Sequence, residues 1–173
     1  VAKAEKLLDT LIDEMARELR QAAHGADARA RQSVAADLAD SADALRSHRK
    51  KRVQLEHAVS LDAACLPALV ALGEFELHRG DPSKGLDYFE EVMRLIEKGG
   101  GASQVSWGAA REHPGRHYLR ALYGRMMTSW HQARLADAVD DARRLLELNP
   151  SDNHGVRFYI PLLLELIEDH EEA

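Results

Sequence analysis

Between residues 66 and 97, two stretches with helical spacing are separated only by Gly80-Asp81-Pro82. Glycine suits the left-handed residue that closes a helix. Aspartate suits the side-chain cap of the next helix, and proline its first position, where the missing N–H costs nothing. Residues 66–79 and 83–97 therefore read as two helices of about four turns each, and so short a turn makes them antiparallel. Leu86, Phe89, Val92, Met93 and Ile96 recur at steps of three and four, which gives the second helix one face to bury. This punctuation constrains the fold more than any local chemistry does. The chain is expected to be built from antiparallel helix pairs.

The rest of the chain follows the same pattern. Over residues 5–23, Leu8, Leu11, Ile12, Met15 and Leu19 form one apolar stripe, closed by His24-Gly25. A second helix starts near Asp27 and carries Val34, Leu38 and Leu45. The dense charge over residues 46–52 leaves open whether that helix runs on or turns. Residues 54–61 are helical again. Lys98-Gly99-Gly100-Gly101 ends the central pair, and residues 99–116 form an irregular connector with one short helix around residues 105–111. A further pair spans residues 116–132 and 135–148 and is broken by Asn149-Pro150. The next helix begins near Asn153 and runs to about Glu168, where Pro161 kinks it unless the helix starts later. Asp169-His170-Glu171-Glu172-Ala173 reads as the opening of one more helix, so the chain is expected to continue.

Composition agrees with a helical, globular chain. Its 173 residues are 45% apolar and 30% charged, but only 5% aromatic, and alanine and leucine dominate the apolar set. A formal charge of −6 gives no overall attraction for nucleic acid. Cys65 is the single cysteine, which excludes an internal disulfide or a cysteine-cluster metal site. No apolar run approaches the ~20 residues of a membrane-spanning helix. The start of the chain lacks a signal-peptide core, so a cytoplasmic setting is expected.

Leu72-Gly73, the Gly80-Asp81 turn, Gly85 and Phe89 stand where the tetratricopeptide repeat (TPR) has its L-G pair, inter-helix turn, small residue and aromatic. Residues 66–99 thus resemble one 34-residue TPR unit, with Leu69, Glu76 and Glu97 replacing the tryptophan, tyrosine and proline. A second, weaker unit covers residues 117–152 in the frame 119–152. It has Ala138 at the small site, Leu145 buried and Pro150 closing, while Arg125-Met126 replaces L-G and Ala142 the aromatic. A partial third unit covers residues 153–173. Gly85 and Ala138 lie 53 residues apart, one 34-residue repeat plus an insert of 19 within the connector. Residues 49–173 are read as TPR-like repeats, and residues 1–48 as an N-terminal helical cap or a divergent repeat. The resemblance implies an all-α fold of antiparallel helix pairs stacked as a right-handed superhelix, in which Gly73 and Gly85 let helices approach and Phe89 fills the space between units.

Signals for chemistry are sparse. There are nine histidines but no His-Glu-x-x-His, and Pro114-Gly115 interrupts His113 and His117 as a helical zinc pair. Cys65 lies among alanines and leucine, the setting of an inert buried thiol. The adjacent carboxylates Glu90-Glu91, Asp140-Asp141 and Glu171-Glu172 point about 100° apart on a helix and suit solvated faces. Gly99-Gly100-Gly101 follows a helix and lacks the Gly-Lys-Ser/Thr ending of a phosphate loop. The basic run Arg46-Ser47-His48-Arg49-Lys50-Lys51-Arg52 is read as a solvated helix end whose cations complement the negative end of a helix dipole, ahead of a contact with nucleic acid. No catalytic residue, metal ligand or cofactor is assigned.

By the resemblance, the first helix of each pair lines a concave groove that takes a protein or peptide segment. Its positions are Val70, Glu74, Leu77 and His78; then Arg120, Tyr123, Met127, Trp130 and His131; then Arg157 and Phe158. Of these, Glu74, His78, Arg120, Tyr123, Met127, Trp130, His131 and Arg157 are the expected partner-binding residues. Tyr, Trp, Met and Arg dominate interface energetics, and Tyr123, Met127 and Trp130 share one helix face. The rival readings make that stripe core or cover it with the inserted connector. The sequence also admits an enzyme on a helical scaffold with a His/carboxylate or metal site, and a nucleic-acid-linked regulator using residues 46–52. The oligomeric state and the partner's identity are not legible.

Overall fold

The computed structural model describes residues 2–100 and 113–171. These residues form eight α-helices, one 3-10 turn and no strand. The elements are α1 (Ala2–Ala23), α2 (Ala28–Ala42), α3 (His48–Leu61), α4 (Leu66–Arg79), α5 (Pro82–Lys98), α6 (Pro114–His131), α7 (Leu135–Leu148), the 3-10 turn Val156–Phe158 and α8 (Tyr159–Glu171). The fold is all-α. It divides into two compact units, residues 1–72 and 73–173, with the boundary inside α4.

In the first unit α1 packs on α2 and α2 on α3. Gly25 takes φ +82° after α1, and Asp27 caps α2 by accepting the Ala30 N–H at 2.8 Å. The face of α1 that is buried runs through Ile12, Ala16 and Ala23, whereas Leu7, Leu11 and Met15 remain 60%, 53% and 43% exposed. The stripe read from the sequence is therefore split, with only its inner edge covered among the described residues. Inside, Gln54 is buried and donates to the Leu38 carbonyl at 2.9 Å and to Ser41 Oγ at 2.7 Å. These bonds occupy the NH2 group of a buried amide.

The basic run is placed differently from the expectation. Ser47 caps α3 by accepting the Lys50 N–H at 3.4 Å, so the cations stand at the start of α3, the positive end of its dipole. Carboxylates offset this. Lys50 pairs with Asp13 of α1, Lys51 with Asp43 at 2.9 Å, and Arg52 with Glu56 at 2.8 Å.

In the second unit α5 packs on α6, α6 on α7 and α7 on α8. Phe89 is fully buried, with its ring between two glycines. A Cβ added to Gly73 would lie 2.5 Å from the ring, and one on Gly124 2.2 Å from it. A Cβ on Gly85 would come within 3.0 Å of the Gly73 carbonyl oxygen. The α4–α5 crossing therefore uses Gly73 and Gly85, whereas α6 approaches Phe89 through Gly124, which the repeat frame does not mark.

The two inter-helix turns match in detail. Gly80 has φ +91° and Asp81 N–H donates to the Glu76 carbonyl at 3.1 Å; Ala133 has φ +57° and Arg134 N–H donates to the Ser129 carbonyl at 2.8 Å. Each member of the second set lies 53 residues after its counterpart. Both are left-handed helix endings closed by a bond spanning five residues. Alanine is strained there and glycine is not. Ala133→Gly is thus expected to raise stability by about 0.5 kcal/mol, and Gly80→Ala to lower it by about 1 kcal/mol. Urea denaturation of the two variants checks the opposite signs.

The C-terminal region also departs from expectation. The helix starts at Tyr159, not near Asn153, so Pro161 is its third residue and leaves no acceptor unsatisfied. Residues 169–171 complete α8 and do not open another helix. Pro114 already begins α6, which shortens the connector by three residues. The short helix expected around residues 105–111 lies outside the described residues.

Candidate partner-binding site

The turn after α7 determines what meets the exposed side of α6. Asn149-Pro150 stops the helix, and the chain reverses through Asp152 at φ +51° and Gly155 at φ +68°. Asp152 holds the 3-10 turn together. Its carboxylate accepts from the N–H groups of Val156 at 2.6 Å and Arg157 at 3.1 Å, and from Arg157 Nε at 2.8 Å. Burial alone would raise the Asp152 carboxyl, but these donors outweigh it and hold it below the usual carboxylate range.

This turn delivers two rings to α6. His154 stacks on Tyr123, with centroids 5.0 Å apart and an interplanar angle of 18°. Tyr159 leans on Tyr123 at 6.5 Å and meets Trp130 edge-on at 5.6 Å. Burial, followed by interaction with the Tyr159 phenol, pushes the Tyr123 hydroxyl up to about 12. Burial also lowers His154 from its ordinary value; Asp152 and Glu74 favour its charged form, and Arg120 opposes it.

Beside the rings, Arg120 and Glu74 form a two-pronged ion pair, with Arg120 Nε at 3.1 Å from Glu74 Oε1 and Nη2 at 2.8 Å from Oε2. Both side chains keep about a third of their surface in water, at 35% and 37%. Glu74 also has a neighbour on its own helix, since His78 Nδ1 donates to its carbonyl oxygen.

Of the expected partner-binding residues, Glu74, Arg120, Tyr123 and Trp130 thus meet around His154 and Tyr159. Met127 is half-buried, one turn beyond Tyr123 on α6. His78 and His131 are exposed. Arg157 is turned instead to Asp152 and to the Pro150 carbonyl at 3.3 Å. Among the other groove positions, Val70 is fully buried, Leu77 is half-buried and Phe158 is 79% exposed.

His154 and Tyr159 went unmarked because the sequence places the helix start too early. A 3-10 turn advances about 120° per residue against 100° in an α-helix, so the inward face falls on Tyr159 and not on Arg157 or Phe158. The signal available was Gly155, a poor residue for a helix interior.

Elsewhere, Cys65 is buried, and burial pushes its thiol up and makes it a weaker nucleophile. His113 Nδ1 accepts the Gly115 N–H at 3.1 Å, which makes it the cap of α6. Among the described residues, no group of three His, Cys, Asp or Glu side chains is gathered to hold a metal ion. No described helix is long and apolar enough to cross a membrane. Comparison with protein-family models, curated proteins and solved structures found no match to the chain.

Proposed function

We propose that the chain is a TPR-like stack of antiparallel helix pairs. On this reading it captures a segment of another protein on the face shared by α4, α6 and the start of α8, with no chemistry of its own. The repeat reading is supported by the two matching turns 53 residues apart and by Phe89, held between the glycines of α4 and α6. The binding reading is carried by one observation. Glu74, Arg120, Tyr123, Trp130 and Tyr159 come from three elements to one face and are only partly covered. Half-buried aromatic rings beside a guanidinium combine large contact area with directed polar groups, the composition that dominates interface energies.

Tyr123, Met127 and Trp130 would supply the apolar anchors. Arg120, already two-pronged on Glu74, would share a partner's carboxylate or carbonyl through its remaining N–H groups. Pairing of Lys50, Lys51 and Arg52 with Asp13, Asp43 and Glu56 supports this reading over a nucleic-acid contact through residues 46–52.

Tyr123 and Trp130 also brace Tyr159, so alanine at either position would disturb α8 as well as the face. Met127→Arg combined with Arg120→Ala tests the face more cleanly. Proteins retained by the immobilised chain should be lost by about tenfold or more in this double variant. They should persist in Arg144→Ala, which removes an exposed α7 pair with Glu147. Equal retention by both variants, with circular dichroism unchanged, would reject the face.

A further inference from the structure

We propose that residues 152–159 form a pH-sensitive clasp, which holds α8 against the aromatic face of α6 and releases it when His154 takes up a proton. The clasp stands whether or not that face receives a partner. Its grip on α6 consists of rings, with His154 flat on Tyr123 and Tyr159 against both Tyr123 and Trp130. Asp152 fixes the spacing between the two gripping residues by tying down the backbone at Val156 and Arg157.

Beyond these rings, α8 rests on α7. Leu163 is its one fully buried large side chain among those described, and Leu162 and Leu164 are 43% and 37% exposed. An element with one fully buried large side chain among those described opens at lower free energy than the body it rests on.

The charged and titratable groups that face His154 include Asp152 in its own turn, Arg120 and Tyr123 on α6, Glu74 on α4, and Tyr159 through Tyr123. Arg120 and Glu74 largely cancel, because they are paired with each other. Asp152 is already engaged by Arg157. The tyrosine face returns part of the cost of an imidazolium. The loss of water around the ring is the largest influence, and it favours neutral His154 in the closed state. Once the clasp opens, the ring regains water and its ordinary basicity. A histidine that is less basic when closed stabilises the closed state fully above about pH 6.5, and that stabilisation is lost progressively as pH falls below this value.

The test is carried out on the full chain. Imidazole resonances give the titration midpoint of His154, and amide exchange gives protection factors for α8 and α6. Between about pH 7.5 and about pH 5, α8 should lose protection by about threefold or more while α6 does not, and His154 should titrate below 6.5. His154→Phe keeps a ring on Tyr123 but cannot titrate, so it should abolish the pH step. A His154 midpoint at or above 6.5, a step shared equally by α6, or an unchanged step in His154→Phe would each overturn the clasp. If His154→Phe does not fold, the wild-type midpoint and the α8–α6 difference decide the matter alone.

Discussion

Replacing Gly124 with alanine should destabilise the second unit by about 3 kcal/mol, a large effect for one methyl group. The added carbon would lie 2.2–2.5 Å from three atoms of the Phe89 ring, closer than any packed pair of carbons tolerates. A side chain free on its far side would swing away. Phe89 has no such freedom, because its ring is fully buried and Gly73 stands against it from α4, with a notional Cβ 2.5 Å away. Removing the ring instead leaves a void, so Phe89→Ala should cost about 3–5 kcal/mol. The informative variant is the combination. With Phe89→Leu in place, Gly124→Ala should lose much less than it does alone, since a shorter side chain leaves room for the methyl group. This gives a coupling energy well above the roughly 0.5 kcal/mol expected of independent sites. Urea midpoints of the two single variants and the double variant measure it. Strict additivity would show that the contact between α5 and α6 has been placed wrongly.

Phe89 also shows what could be read in advance. Its place four residues after Gly85, with Gly73 twelve residues before that glycine, is visible in the repeat pattern, because the α4–α5 crossing is local and punctuated by its own turn. Gly124 is not visible there. The frame places Met126 opposite the small residue of the first pair, yet Met126 is fully buried and Gly124, two positions before it, makes the approach. Close approach follows the point where helices cross, which depends on their relative rotation, and sequence spacing does not report that rotation between distant segments. The same limit separates the site residues. Tyr123, Met127 and Trp130 share a face because they lie on one continuous helix. Their contacts with His154 and Tyr159 depend on a reversed chain and a 3-10 turn, whose phase differs from that of the helix expected there. The cations of residues 46–52 illustrate a third case. Their charge is plain, but whether they start or finish a helix depends on Ser47 acting as a cap.

Removing the carboxylate of Asp141 should be nearly as damaging as filling Gly124, for a different reason. Arg125 stands where the repeat pattern has its leucine, and it meets Asp141 of α7 through two parallel bonds, Nε to Oδ2 at 2.9 Å and Nη2 to Oδ1 at 2.6 Å. The aspartate side chain is only 10% exposed and the arginine 32%. Hydrogen bonding to Asp141 raises the arginine further above its already high range, so Arg125 cannot escape by losing its proton. Asp141→Ala therefore leaves a charge between α6 and α7 with its best partner gone. The expected cost is about 3 kcal/mol, at the lower end for a broken buried pair because a third of the guanidinium still reaches water. Replacing both partners removes the stranded charge altogether. Arg125→Met with Asp141→Leu should recover most of the loss and lie within about 1 kcal/mol of the wild type, since apolar contacts substitute well for a pair whose own desolvation offset most of its attraction. Denaturant unfolding of Asp141→Ala and the double variant separates the two possibilities. If the single variant is as mild as the double, the pair is no more than a surface contact, and the join between α6 and α7 rests on the Ala138–Ala142 face alone.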